Sequence, residues 1–281
     1  MFRINELTRG RFGNKILHYN TLAQLGRNCN REISCAKWEG HDFFSNLKSD
    51  HLADSSEIEL DWKQILNEDF SLNDDACYIV HQYCLHNVFW KITKTDPREF
   101  LKIREKFKPT MSENKTNIGI HFRGTDILGA DGNHGREIHK PEYYRSAIDL
   151  TEREFNDTRY HLCTDDSQFE SYIQTVKYLK ERNIDFKCGN INDYWSDFAL
   201  LSECEILIAS SSTFVLCAGF LGRKDKKIIH SQEWLDKNLN HTLWHPQGDP
   251  EWVREFQLSF DRFWVELAAG GNEFYKIWRS V

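Results

Sequence analysis

Residues 206–221 read Ile206-Leu207-Ile208-Ala209-Ser210-Ser211-Ser212-Thr213-Phe214-Val215-Leu216-Cys217-Ala218-Gly219-Phe220-Leu221. The opening apolar run has the character of a strand buried on both faces. Four hydroxyl residues interrupt it, and a helical pattern resumes at Thr213. Only a sheet covered by helices on both sides buries a strand in that way, so this junction decides for an α/β fold with parallel strands. Taken whole, Ile206 to Gly222 has the apolarity of a membrane span. It falls short of about 20 residues and carries its hydroxyl cluster at the centre, which argues against one.

The same alternation extends outward. Asn117 to Phe122 reads as a strand and Pro141 to Arg153 as a helix. Tyr160 to Cys163 is a strand running into Thr164-Asp165-Asp166, followed by a helix to about Arg182. Asp197 to Glu203 is a short helix. In the first half, the short run Phe2 to Leu7 precedes a turn at Gly10-Arg11-Phe12-Gly13-Asn14. A helix follows in which Ile16, Leu17, Tyr19, Leu22, Ala23 and Leu25 recur at close to helical spacing. Cys77 to Val80 reads as a further strand, and Phe100 to Lys108 as an amphipathic helix stopped by Pro109. The polar, breaker-rich stretch Pro109 to Thr116 separates the blocks. The expectation is a domain at 1–112 and another at 113–281, two Rossmann-like halves facing a cleft. An aromatic-rich helical segment, Trp252 to Trp278, closes the second.

The 281 residues carry 36 basic and 43 acidic side chains, a net charge of −7. Such a balance disfavours a nucleic-acid partner, and any phosphate must be gripped by a few placed groups. With 40% apolar residues the chain is globular, neither disordered nor collagen-like. Met1 to Glu6 lacks the apolar run of a secretory signal, so the expectation is a cytoplasmic protein. Its eight cysteines form no CxxC pair and read as buried thiols. Cys77, His81, Cys84 and His86 fall within ten residues, and on a helix Cys77, His81 and Cys84 would share a face, but the spacing matches no standard zinc site.

Three segments bear chemistry. His121, Arg123 and Asp126 fall at the carboxyl end of a strand, where parallel sheets gather ligands. Strand alternation puts His121 and Arg123 on one side. Arg123 offers a donor fork matched to a diphosphate, or else a strand-end ion pair with Asp126. The Ser210–Thr213 turn opens a helix, so its free amides and dipole suit an anion; equally, Ser212 or Thr213 merely caps it. Gly10 to Asn14 matches neither the dinucleotide fingerprint nor a P-loop, and Asn14 reads as a helix cap. Asp165 and Asp166 could be acid/base groups, metal ligands or caps. Trp38, Trp195 or Trp244 could stack on a sugar.

Four segments in this order resemble the fucosyltransferase superfamily, which spans α1,2- and α1,6-fucosyltransferases and protein O-fucosyltransferases. Gly10-Arg11-Phe12-Gly13-Asn14-Lys15 is similar to the family's GRFGNQ loop, and His121-Phe122-Arg123-Gly124-Thr125-Asp126 to its HxRRxD motif. Leu162 to Asp166 resembles a strand ending in S/T-D-D, and Asp197 to Leu221 the pattern D-x-x-L-M-S-x-C followed by N-S-T-F-S-W-W. The resemblance implies a GT-B fold, GDP-fucose as donor, a glycan or polysaccharide-precursor acceptor, and inverting transfer without an essential metal or cofactor. It further implies that Arg123 stabilises the leaving diphosphate, that His121 and Asp197 contact guanosine, and that Ser211, Ser212, Thr213 and Phe214 lie against the phosphates. Phe12, Gly13 and Asn14 would approach the donor from the first domain, Asn14 with a catalytic part; Asp126 and Asp165 complete the set. Gly124 stands where the motif has a second arginine, and Val215-Leu216-Cys217 where it has S-W-W. Both departures leave open another donor, such as a UDP-pentose, or a module that binds without catalysis.

Overall fold

The computed structural model describes residues 1–7, 10–47, 56–60, 64–65, 70–80, 95–124, 139–210, 212–223 and 226–229. They form two compact units, one ending at Arg104 and the other beginning at Glu105.

The first unit holds a four-stranded parallel sheet of β1 (Phe2–Ile4), β2 (Ile33–Cys35), β3 (Ser56–Leu60) and β4 (Ala76–Val80), in the order β2-β1-β4-β3. β4 is buried along its whole length, as its unbroken apolar run requires. Helix α1 (Phe12–Asn28) is buried on nearly every side, so it also encloses polar residues such as Gln24. The Gln24 side chain exchanges two hydrogen bonds with the Thr95 backbone, Nε2 donating at 2.5 Å and Oε1 accepting at 3.1 Å. A short helix, α2 (Gly40–Phe43), ends in an aromatic cluster of Phe12, Trp38, Phe43 and Phe44. The sequence predicts a helix over Phe100–Lys108, and the structure has none there. Two 3-10 turns, Pro97–Glu99 and Glu105–Phe107, flank an extended stretch. That stretch is drawn straight by bonds to the end of α2 and the chain just after it: Ser45 N–H to Lys102 O at 2.8 Å and Arg104 N–H to Phe43 O at 3.0 Å. Tertiary pairing here overrides amphipathic spacing.

The second unit is a five-stranded parallel sheet: β5 (Thr116–Phe122), β6 (Thr158–Thr164), β7 (Phe186–Cys188), β8 (Ile206–Ile208) and β9 (Lys227–Ile229). Its order is β7-β6-β5-β8-β9. Helices α3 (Pro141–Glu154), α4 (Glu170–Glu181), α5 (Tyr194–Glu203) and α6 (Thr213–Leu221) connect the strands. Pro at the first position of α3 starts that helix without needing an amide partner. Ile118, Ile120, Phe122, Tyr160, Leu162, Ile206 and Ile208 form the core with Tyr144, Ala147 and Ile148 of α3. The apolar stretch 206–222 is therefore divided between β8 and α6, and no helix among the described residues is long and apolar enough to cross a membrane.

Cys77 lies in β4, not on a helix; His81, Cys84 and His86 lie outside the described residues, as does Trp252–Trp278. The seven described cysteines are free thiols. Five are buried, but Cys188 is exposed and Cys29 partly so, which corrects the expectation for those two.

Candidate functional site

In the second unit the chain winds from β5 through β6 to β7 on one side, then returns to β8 and β9 on the other. The reversal lies between β5 and β8, and the crevice beyond the carboxyl ends of such strands is where open α/β sheets bind ligands. Ile120 pairs with Ile208, so the two strand ends stand side by side.

Phe122 points into the core, its ring 4.4 Å from that of Tyr144. Alternation then sends His121 and Arg123 to the opposite side, as the sequence predicts. His121 is buried, its Nδ1 2.6 Å from the Ser210 hydroxyl and its ring stacked on Phe214 at 5.3 Å. Burial pulls its pKa down to about 3, against the nearby Asp165 charge and with that of Arg123. The imidazole is accordingly neutral at working pH and contributes hydrogen bonds, not charge.

Arg123 Nη1 donates to Ser212 Oγ at 3.2 Å. Ser212 is also the N-cap of α6, accepting the Phe214 amide at 3.3 Å. Capping and site roles thus coexist in one hydroxyl. Its two acceptor positions are occupied, which leaves the O–H to donate. The Arg123 guanidinium and the Ser212 hydroxyl thus meet at the start of α6, where the helix dipole favours an anion.

Asp165 approaches Arg123 from β6, its Oδ2 3.9 Å from Nε, while its Oδ1 accepts the Gly124 amide at 2.7 Å. Asp166 instead closes the turn: its Oδ1 accepts the Gln168 amide and its backbone N–H bonds Thr164 Oγ1. Neither carboxylate caps α4, whose N-cap is Phe169. At Gly124 a Cβ would lie 2.8 Å from Asp166 Cβ, so no arginine fits there without moving that turn.

Asp197 sits apart from this cluster. Its carboxyl is buried against Gly189, where a Cβ would come within 2.3 Å of Oδ1, and it meets the Cys163 thiol and the Asn190 amide. Burial raises its pKa to about 7, partly opposed by the Cys163 hydrogen bond. Phe198, the next residue, packs edge-on against Phe214 at 5.2 Å and so ties α5 to the His121 stack. Thr213, the first residue of α6, is half-buried.

Phe12, Gly13 and Asn14 belong to the first unit and open α1 there. The Phe12 ring is buried 5.4 Å from Phe43 and 5.9 Å from Trp38. Asn14 does not cap: the N-cap is Arg11, and the Asn14 side chain lies over Gly10 instead. Trp38 belongs to that aromatic cluster, and Trp195 packs on Phe107 at 5.4 Å. Asp126, Ser211 and Trp244 lie outside the described residues.

Sequence reasoning missed Ser210 as the partner of His121 and Gly189 as the seat of Asp197. The first was available from register: Ile120 opposite Ile208 brings the ends of β5 and β8 together two residues on. The second had no local signal.

Neither protein-family models nor curated protein sequences give a match to this chain. Solved structures do. POFUT1 in complex with GDP is similar at a TM-score of 0.53 and 9% identity, covering 82% of this chain and 97% of that one. POFUT1 with GDP-fucose gives 0.53 at 8% identity, over 82% and 97%. The R284K mutant of Arabidopsis thaliana FUT1 with GDP gives 0.51 at 10%, over 82% of this chain and 69% of that one. At such identities the likeness establishes the fold alone: two parallel α/β units of a GT-B-like fold.

Proposed function

We propose that the protein is a cytoplasmic glycosyltransferase that moves L-fucose from GDP-fucose to a sugar hydroxyl of a glycan or polysaccharide precursor. Transfer inverts the anomeric centre and needs no metal. The observation that carries this reading is the meeting of the Arg123 guanidinium with the Ser212-capped start of α6 at the β5/β8 reversal. The fold shared with structures that hold GDP and GDP-fucose supports it.

As the glycosidic bond breaks, negative charge grows on the departing diphosphate. Arg123 and the Ser212 hydroxyl are donors already held in place, so they favour the charged transition state without reorganising. His121, kept neutral, supplies an uncharged hydrogen-bonding edge beside them. Gly124 and Val215-Leu216-Cys217 favour a second reading, a transferase of the same fold that takes another nucleotide sugar.

Calorimetric titration of GDP, GDP-fucose, UDP and UDP-sugars, with EDTA present, decides between them. Selective GDP binding that Arg123→Ala abolishes is the expected result. UDP selectivity would keep the site and replace the donor; binding without nucleotide release on addition of candidate glycans would mark a non-catalytic module. Loss of binding in EDTA would overturn the metal-free claim.

A further inference from the structure

We infer that Asp165 is a positioning residue for Arg123, and that Gly124 is what allows it to act. This rests on the reading of Arg123 as the diphosphate arginine.

Phe122 pairs with Thr164 in register, so the residues that follow, Arg123 and Asp165, leave the sheet side by side. Asp165 cannot drift, because its Oδ1 holds the Gly124 amide at 2.7 Å. Its second oxygen then faces Arg123 Nε at 3.9 Å, while Nη1 bonds Ser212 on the β8 side at 3.2 Å. The guanidinium is thus bonded from the β8 side through Nη1, while the Asp165 carboxylate stands beside Nε on the β6 side at ion-pair distance. Both partners are largely shielded, with 10% and 27% of their side-chain surfaces exposed, so the carboxylate is felt more strongly than in a surface pair.

Gly124 enforces the geometry. An added Cβ would meet Asp166 Cβ at 2.8 Å and Phe169 Cβ at 3.1 Å. Those atoms belong to a turn braced by Thr164 Oγ1, which donates to Asp166 O and accepts its amide. Any side chain at 124 must displace that turn, and Asp165 with it.

The carboxylate also repels an incoming diphosphate. Removing its charge while keeping its shape should therefore strengthen ground-state binding and weaken catalysis, a split that loss of a direct ligand contact does not produce.

The test uses full-length protein labelled with [15N]arginine, the Arg123 Nε–H signal being assigned by its absence in Arg123→Lys. In wild type the neighbouring carboxylate should set the Arg123 Nε chemical shift and keep the signal narrow; in Asp165→Asn and Gly124→Ala the signal should shift and broaden as the guanidinium loses its orientation. An Arg123 signal unmoved and unbroadened in Asp165→Asn overturns the proposal, even if Gly124→Ala fails to fold. With GDP-fucose turnover, Asp165→Asn should bind GDP about threefold more tightly and lose about tenfold in kcat. Parallel loss of affinity and kcat, as in Arg123→Ala, would mean that Asp165 touches the ligand, and would also overturn it. If wild type binds no GDP, the donor reading fails, and the arginine spectrum still decides the positioning role.

Discussion

Each unit has a parallel strand that leads through a turn into a helix, and the two junctions use the same backbone physics to different ends. After β1, Gly10 takes a φ of +78° and α1 begins at an N-cap, Arg11, whose side chain makes no capping bond. The next residue, Phe12, is sunk among Trp38, Phe43 and Phe44. After β8, the chain passes through Ser210 to the Ser212 cap, and the neighbouring strand end presents His121 and Arg123 to those hydroxyls. Both helices carry the same dipole. What distinguishes the α6 start is the side chains that an adjacent strand end delivers to it. A helix start is common; a helix start beside a held guanidinium is not.

The strongest way to break this contrast is Arg123→Ala. Loss of one preorganised donor to a developing anion costs about 3 kcal/mol in transition-state stabilisation, roughly a hundredfold in kcat/KM. Turnover within threefold of wild type would remove the site from the β5/β8 crevice. The complementary change at the other junction is Gly10→Ala. There a Cβ must adopt a left-handed backbone and would meet Asn14 Nδ2 at 2.5 Å. About 1–2 kcal/mol of stability should go, read as a lower melting temperature of the first unit, while GDP binding by the second is retained. Parallel loss of GDP affinity would show the α1 junction to be part of the donor site. Ser212→Ala is smaller and cuts both ways. It should cost about 1 kcal/mol of stability through the lost cap, and weaken GDP binding several-fold through the lost hydroxyl. An unchanged affinity would reduce Ser212 to a cap.

Much of the second unit was legible because its strands are buried on both faces and its helices are bounded by clear signals. α6 begins and ends where its pattern does, at Thr213 and Leu221, and Pro141 opens α3. Three-residue strands such as β7 and β9 were not legible: Phe186-Lys187-Cys188 is too short to show a period, and its side chains are mostly exposed. The false helix at Phe100–Lys108 failed because its amides and carbonyls are claimed by residues 43–46, far away in sequence. In the site, alternation placed His121 and Arg123 correctly. It could not show that Asp165 and Asp166 part company, one reaching Gly124 and the other folding back on its own turn, since both follow the same strand. That difference is made by packing against Gly124, and a single sequence does not display packing.

The smallest effect separates the two buried titrating groups near the site. Asp197 has a raised pKa of about 7, so the folded state holds its proton longer than the unfolded chain does, and its contribution to stability falls as pH rises from about 4 to 7. His121 is depressed to about 3, so its contribution falls in the opposite direction, as pH drops from about 6.5 towards 3. Between about pH 4.5 and 6.5 the Asp197 slope opposes that of His121 and that of His161, which burial depresses to about 4, so wild-type stability should rise with pH only as steeply as one such histidine allows. Asp197→Asn removes one slope and keeps an acceptor for the Asn190 amide. The variant should then melt progressively lower towards pH 5, by about 2–4 °C for each kcal/mol of His121 desolvation exposed. An Asp197→Asn profile parallel to that of wild type between pH 5 and 6.5 would show that Asp197 is ionised throughout. In that case the Gly189 seat must stabilise a carboxylate, and its packing would have to admit water.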